Sequence, residues 1–179
     1  MTKTCSELFQ GMDCTIIGNG NEEVAGLAFR SDEVAPGDMF FCIVGTVVDG
    51  HSFAQDAIDR GATSLVAERK VYLADATDVT EVVVSDSRKA MAYASANYYD
   101  NPSRAFSLVG ITGTNGKTTT TYLVEHIASV AGNRCGVIGT VGNKIAGVME
   151  HAERTTPESP DLQKLFARMR DAGCTVVAM

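Results

Sequence analysis

Leu108-Val109-Gly110-Ile111-Thr112-Gly113-Thr114-Asn115-Gly116-Lys117-Thr118-Thr119-Thr120-Thr121 is the stretch on which the reading of this 179-residue chain turns. The apolar run at 106–111 reads as a buried strand. A glycine-rich turn follows, and a helical repeat then sets Leu123, Val124, Ile127, Ala128 and Ala131 on one side. Strand, glycine turn, Lys-Thr and helix together make a phosphate cradle. Gly113 and Gly116 permit the backbone conformations that turn several N–H groups inward, and the helix start adds its positive dipole end. Lys117 is placed to reach the outer phosphates of a nucleotide and the Thr118 hydroxyl to sit on Mg²⁺. The longer template G-x-x-x-x-G-K-[ST] would need glycine at Ile111, so the loop is the shorter form G-T-N-G-K-T. Nucleoside triphosphate binding is the expectation.

Bulk composition narrows the setting. A hydrophobic content of 45% with 21% charged residues suits a globular chain able to bury a core. The net charge of −7 argues against nucleic acid or an anionic membrane as the main partner. Five cysteines, at 5, 14, 42, 135 and 174, show no C-x-x-C pair and no metal spacing. Reduced, structural thiols are expected. No long uncharged apolar run and no signal-type N-terminus occurs, so a soluble, cytoplasmic protein is expected.

Outward from the loop, the chain reads as α/β throughout. Residues 3–10 suggest a short helix, and 14–17, 24–29, 39–44, 63–67 and 81–84 suggest strands. Helices are expected from Phe53 to Arg60, with Gly61 just beyond, and at 88–99 behind the cap types Asp86 and Ser87. A polar stretch with Val71, Tyr72 and Leu73 separates two of the strands. Asp100-Asn101-Pro102-Ser103 stops the second helix and marks the expected domain boundary: 1–104, then 105–179. In the second part, 135–138 reads as a strand parallel to that of the loop, and 139–157 as a Gly-rich then charged loop with a short strand at Val148 and Met149. A helix follows Pro157 and Pro160, with Leu162, Leu165, Phe166 and Met169 on its apolar side, and a β-type run covers 174–179. The fold class expected is a small mixed α/β domain followed by part of a doubly wound, parallel-sheet phosphate-loop domain. The 174–179 run is expected as an exposed sheet edge prone to self-association, and the chain as a piece of a longer protein.

The run GITGTNGKTTT resembles the ATP loop of the Mur ligases, which join amino acids to a UDP-linked muramic acid peptide. Residues 31–40 (SDEVAPGDMF), Gly45 and Asp49-Gly50-His51-Ser52-Phe53 look like the uridine-binding domain of the branch that adds the third amino acid. Tyr98-Tyr99-Asp100-Asn101-Pro102-Ser103 resembles that branch's interdomain link, with the tyrosines packing a seam, and Arg154-Thr155-Thr156-Pro157-Glu158 its substrate-binding segment.

The resemblance implies an ATP-dependent amide ligase with ATP and Mg²⁺ as cofactors. Its substrates would be UDP-N-acetylmuramoyl-L-alanyl-D-glutamate and an amino acid, diaminopimelate or lysine. ATP would phosphorylate the free carboxylate, and the amine would attack the acyl phosphate. By the same resemblance Gly113, Thr114, Asn115, Gly116, Lys117, Thr118 and Thr119 bind ATP, Lys117 is catalytic and Thr118 meets the metal. Ser31, Thr46, Val47 and Val48 would meet the uridine end, and Thr155 and Thr156 the muramoyl or diphosphate part. The implied full-length protein is a monomer.

The family commonly has Asp-Ser-Arg where this chain has Arg30-Ser31-Asp32, so Ser31 alone carries over. The family's Mg²⁺-binding glutamate, its modified lysine and its amino-acid-selecting C-terminal domain have no counterpart in these 179 residues, so the stretch by itself is expected to be inactive. Asp100-Asn101-Pro102-Ser103 lies in the link, so it says nothing about the third amino acid. His51 reads as a helix-start or packing residue, or as a ligand contact. Thr155 and Thr156 read as substrate contacts or as a cap before Pro157, and Glu158 as a helix-dipole partner or a group near Mg²⁺. His126 reads as an exposed helix residue and His151 as a loop residue. Two other function classes fit the loop alone: a non-catalytic nucleotide-binding module, and a phosphate-loop kinase or ligase acting on a non-muramoyl acid.

Overall fold

The computed structural model describes residues 2–71, 78–152 and 154–179, so Tyr72 and Leu73 lie outside the described residues. Contacts divide the chain into two compact units, Met1–Tyr98 and Tyr99–Met179.

In the first unit, β1 (Lys3–Thr4) leads into α1 (Cys5–Leu8), one turn shorter than the 3–10 expected. Thr4 and Glu7 form a capping box, each side chain meeting the other's backbone N–H, which fixes where α1 starts. β2 (Thr15–Ile17) follows. The 24–29 run divides into β3 (Glu23–Val24) and β4 (Gly26–Ala28), because β3 pairs with β1 and β4 with β5 (Asp38–Phe41). α2 (Ala54–Asp59), β6 (Ser64–Ala67), β7 (Thr80–Val83) and α3 (Ser87–Tyr98) complete the unit. Its main sheet runs β2-β7-β6-β5-β4, parallel except for β2.

All four residues of β5 and of β6 are buried. Alternate side chains enter different clusters: Met39 and Phe41 pack with Leu8, Phe9 and Met91, while Phe40 and Cys42 pack with Ala54, Ala57 and Leu65. A sheet covered on both faces needs a continuous apolar run rather than alternation, which is what residues 39–44 show. Asp86 caps α3 by accepting from the Lys89 N–H at 2.9 Å. Asp100 and Asn101, at φ 60° and 51°, stop the chain from continuing as helix.

The second unit contains β8 (Ser107–Val109), α4 (Lys117–Val130), β9 (Cys135–Gly139), β10 (Gly142–Ile145), β11 (Val148–Glu150), α5 (Ser159–Asp171) and β12 (Val176–Ala178). The link at 99–104 packs here: the Tyr99 carbonyl accepts from Arg170 at 2.9 Å, and Pro102 is buried at the start of a 3-10 turn. Tyr98 instead donates its hydroxyl to the Ala25 carbonyl in the first unit. The sheet order is β11-β10-β9-β12-β8, with β8, β12 and β9 parallel and β10 and β11 antiparallel.

Expectations are corrected here at the sheet edge, at the strand before the loop and in the Gly-rich stretch. The 174–179 run is no exposed edge: β12 lies between β9 and β8 and is hydrogen-bonded on both sides. The strand before the loop is not buried. It pairs on one side only, and Leu108 is 42% exposed. The apolar stripe read on α4 is largely open to solvent, with Leu123, Ile127 and Ala131 exposed and Val124 and Ala128 half-buried; Thr121 is the buried residue of that helix, and Glu125 pairs with Lys144 of β10 at 2.9 Å. The stretch expected as a Gly-rich loop contains the β10–β11 hairpin. On the other face α5 contributes Phe166, whose ring meets Phe106 edge-on at 5.5 Å, over Ile138, Met169 and Val177.

Four of the five cysteines are buried and all are unpaired, in keeping with structural thiols, and burial pushes Cys5 and Cys42 up to about 12. Among the described residues no helix is long and apolar enough to cross a membrane.

Phe166→Ala should lower the stability of the second unit by about 3–5 kcal/mol, read from the urea transition of its amides. Acid should act first on the other unit. Among its described residues, hydrogen bonds hold five carboxyls below their ordinary range: Glu7 through Thr4, Asp32 through Arg30, Asp49 through Arg69, Asp56 through Ser31, and Asp86 through Lys89. Among the described residues of the second unit only Glu150 is so held, by Arg168. A depressed carboxyl stabilises above its unfolded value and loses that contribution as pH falls through the folded value. Below about pH 4 the amides of residues 2–98 should therefore exchange faster before those of 99–179, in a pH series followed by NMR.

Candidate functional site

The phosphate loop has the backbone its glycines were expected to allow. Gly113 sits at φ 152° and Gly116 at φ 79°, and Gly116 is the N-cap of α4. Neither glycine is required by space: a Cβ on Gly116 would meet nothing within 4 Å, so the left-handed backbone is what selects it. Lys117 opens the helix and folds back over the loop, donating Nζ to the Gly113 carbonyl at 2.5 Å. β12 sets the loop's entrance, since the Met179 N–H donates to the Val109 carbonyl at 3.0 Å and the Ile111 N–H to the Met179 carbonyl at 2.7 Å.

A groove beside the loop is lined by Lys117, Thr118, Thr121, Tyr122, Thr140, Thr155, Thr156 and Met179, among others. It brings together four residues that the sequence singled out in two separate motifs, Lys117 and Thr118 with Thr155 and Thr156. Gly113, Thr114, Asn115, Gly116 and Thr119 are exposed next to it but do not line it. Thr155 and Thr156 are not caps: the N-cap of α5 is Glu158, whose carbonyl accepts from Leu162 N–H at 2.9 Å and whose side chain makes no cap bond. Thr155 Oγ1 lies 3.3 Å from Thr140 Oγ1. Thr140 carried no motif. Tyr122, whose buried hydroxyl meets no partner among the described residues, lay hidden in a helix pattern.

The first unit holds a second concave site. Phe29, Arg30, Ser31, Asp32, Phe40, Ile43, Val48, Gly50 and Phe53 line it. Ser31 opens a 3-10 turn, Ser31–Glu33, and its hydroxyl is bonded to the Asp56 carboxylate. Arg30 is paired with Asp32 at 2.9 Å and with Glu33 at 3.3 Å. Of the residues expected at the uridine end, Ser31 and Val48 share this pocket, whereas Thr46 and Val47 stand at the loop tip outside it. Three phenylalanine rings beside a hydroxyl suit a flat ring with a polar edge. Phe40 and Phe53 belong to the two runs that resemble a uridine-binding domain, whereas Phe29, just past β4, carried no motif.

His51 is a packing residue, 8% exposed, with both ring nitrogens occupied inside the protein. His126 is exposed on α4 and His151 is exposed in its loop.

The donors of the groove fit a polyphosphate. The Lys117 ammonium, the Thr118 hydroxyl and the N–H groups at the start of a 14-residue helix offer positive charge and hydrogen bonds. Among the described residues no group of three or more His, Cys, Asp or Glu side chains could cage a cation.

Residues 23–112 match the Mur ligase family, catalytic domain, and residues 111–179 the Mur ligase middle domain. A UDP-N-acetylmuramoyl-L-alanyl-D-glutamate–2,6-diaminopimelate ligase of Geobacillus thermodenitrificans is 47% identical over 160 residues, covering 89% of this chain and 32% of that protein. The ligase of the same name from Halalkalibacterium halodurans is 42% identical over 179 residues, covering 100% of this chain and 36% of that protein. The chain thus spans about a third of the length of these curated relatives. Among solved structures, a UDP-N-acetylmuramoyl-L-alanyl-D-glutamate–2,6-diaminopimelate ligase shares the fold with a TM-score of 0.76 at 24% identity, over 100% of this chain and 36% of that one. The MurF ligase of Thermotoga maritima in complex with ADP gives 0.54 at 24% identity, over 86% of this chain and 31% of that one. The phosphate loop, the two α/β units and these matches agree on a single assignment: the chain belongs to the Mur ligase family.

Proposed function

We propose that this chain supplies the ATP loop and the UDP-substrate pocket of an ATP-dependent amide ligase. That ligase adds diaminopimelate to UDP-N-acetylmuramoyl-L-alanyl-D-glutamate in peptidoglycan precursor synthesis. The observation that carries the reading is a glycine-shaped, helix-ended loop whose Lys117 and Thr118 line one groove with Thr155 and Thr156. The name shared by the curated relatives favours diaminopimelate over lysine as the third residue.

ATP supplies a phosphoryl group that turns an unreactive carboxylate into an acyl phosphate, from which an amine displaces phosphate. The chain's own residues serve binding and charge. Gly113, Thr114, Asn115 and Gly116 present the loop backbone to the phosphates, and Thr119 extends the cradle by one residue. Lys117 exchanges its bond to the Gly113 carbonyl for the outer phosphates, where its fixed positive charge offsets the charge of the transferring group. Thr118 holds Mg²⁺. Thr155 and Thr156 give hydroxyls to the muramoyl or diphosphate part, with Thr140 bracing Thr155. Ser31 and Val48 meet the uridine end, and Thr46 and Val47 close over it from the loop tip. The reading carries a cytoplasmic location with it, since ATP and the UDP-linked precursor are cytoplasmic reactants, and the family resemblance a monomer for the full-length protein. Residues 1–104 take the uridine side and 105–179 the nucleotide side.

Calorimetric titration of the 179-residue chain tests each half. Lys117→Ala should weaken Mg·ATP binding about 10- to 150-fold, the range for losing hydrogen bonds from a charged donor, and leave UDP affinity unchanged. An unaltered ATP affinity would remove the case for the loop. Failure of the wild-type chain to bind UDP-N-acetylmuramoyl-L-alanyl-D-glutamate would leave a nucleotide-binding module or a ligase for a different acid. Replacing both Thr155 and Thr156 by Val should weaken the muramoyl ligand relative to UDP alone, since the uridine pocket stays intact.

A further inference from the structure

Between β5 and α2 the chain makes a short projecting loop. Its base is a bridge between Val44 and Asp49, with Gly45 N–H donating to the Val48 carbonyl at 3.0 Å and Gly50 N–H to the Ile43 carbonyl at 2.9 Å. The tip is apolar and wet: Val47 is 93% exposed and Val48 52%. Such a tip cannot hold its own position by burial. What ties the loop to the sheet is His51, immediately after it.

The His51 ring bridges two elements. Its Nδ1 lies 2.6 Å from Asp49 Oδ1, and its Nε2 lies 3.0 Å from the backbone nitrogen of Glu68, just past β6. A backbone N–H can only donate, so Nε2 is an acceptor and the ring proton sits on Nδ1, directed at Asp49. The carboxylate is engaged further: Oδ1 accepts from the His51 N–H at 3.0 Å, and Oδ2 from Arg69 at 2.7 Å. Glu68 in turn accepts from both the backbone N–H and the hydroxyl of Ser87 at 2.9 Å, joining the anchor point to the start of α3. Gly50 fits the same clamp, because a Cβ there would stand 2.6 Å from the backbone N and O of Ile43.

We propose that His51 is a positioning residue. As a neutral ring with its proton on Nδ1, it fixes the 44–50 loop and with it the Val48, Gly50 and Phe53 wall of the first-unit pocket, so that the wall is in place before a uridine nucleotide arrives. The imidazole does not line the pocket; its neighbours Gly50 and Phe53 do. The proposal rests on the uridine reading of that pocket for its ligand, and on the hydrogen bonds alone for the clamp.

The test uses the 179-residue chain with UDP as probe, and follows amide exchange and imidazole nitrogen chemical shifts by NMR. In the wild type His51 should show the tautomer protonated at Nδ1; the opposite tautomer would overturn the clamp. His51→Ala should speed exchange at Gly45, Gly50 and Glu68 and lower UDP affinity about 10-fold, the order expected when a loop must be ordered on binding rather than beforehand. His51→Gln, whose amide oxygen can accept from the Glu68 N–H, should recover part of both effects. Asp49→Ala changes a partly exposed side chain and keeps the buried ring, so it should loosen the loop even if His51→Ala fails to fold. Unchanged exchange at the three amides in Asp49→Ala and His51→Ala would overturn the proposal whatever UDP does. Faster exchange with undiminished UDP affinity would reduce His51 to a structural residue, and so overturn it too. A wild-type chain that ignores UDP while its loop is held as described would instead fault the uridine reading, and the proposal's ligand with it.

Discussion

The second unit depends on the backbone ladder that β12 makes with both of its neighbours. Among the described residues β12 is the strand that pairs with β8, and it is β8 that delivers the chain to the phosphate loop. Hydrogen bonds run continuously from the Ser107 N–H, which donates to Thr175, up to the Ile111 N–H, which donates to Met179. The loop therefore starts from a point held on the sheet, and its glycine conformations begin from a fixed direction. Directional backbone bonds do here what side-chain packing cannot, because the outer face of β8 is half exposed.

In the first unit the constraint is different. Its sheet is buried on both faces, so Met39 and Phe41 face one cluster while Phe40 and Cys42 face the other. The loops at the ends of such a sheet hold the pocket, and they must be secured individually. Ser31 is tied to Asp56 of α2, and the 44–50 loop to Glu68 and Arg69 behind β6. Polar contacts thus shape a pocket whose interior is largely aromatic.

Local chemistry was legible in the sequence wherever the deciding contacts are local. The loop glycines, the Lys-Thr pair, the start of α3 at Asp86 and the stop at Asn101 all depend on residues within a few positions of one another. The continuous apolar runs of β5 and β6 were legible because burial on both faces leaves no room for alternation. Strand order was not legible. Nothing in residues 174–179 says that they will insert between two strands encountered earlier in the chain, since an apolar β run suits an edge or a centre alike. The α4 stripe shows a related limit: helical periodicity reports that an apolar face exists, not which face the sheet will take. His51 stayed ambiguous because its decisive partner is a backbone N–H 17 residues away. Phe29 stayed hidden as a pocket residue because it joins Phe40 and Phe53 only once β4 and β5 are side by side.

The central place of β12 also orders events in time. Its residues pair with Ser107, Leu108 and Val109 about 70 positions earlier, so the pairing that holds the strand carrying the nucleotide loop must close a long stretch of chain and is slow relative to local contacts. Helix α4 and the β9–β10–β11 meander are built from near neighbours and can form first. The loop then acquires its geometry late, as a product of sheet closure.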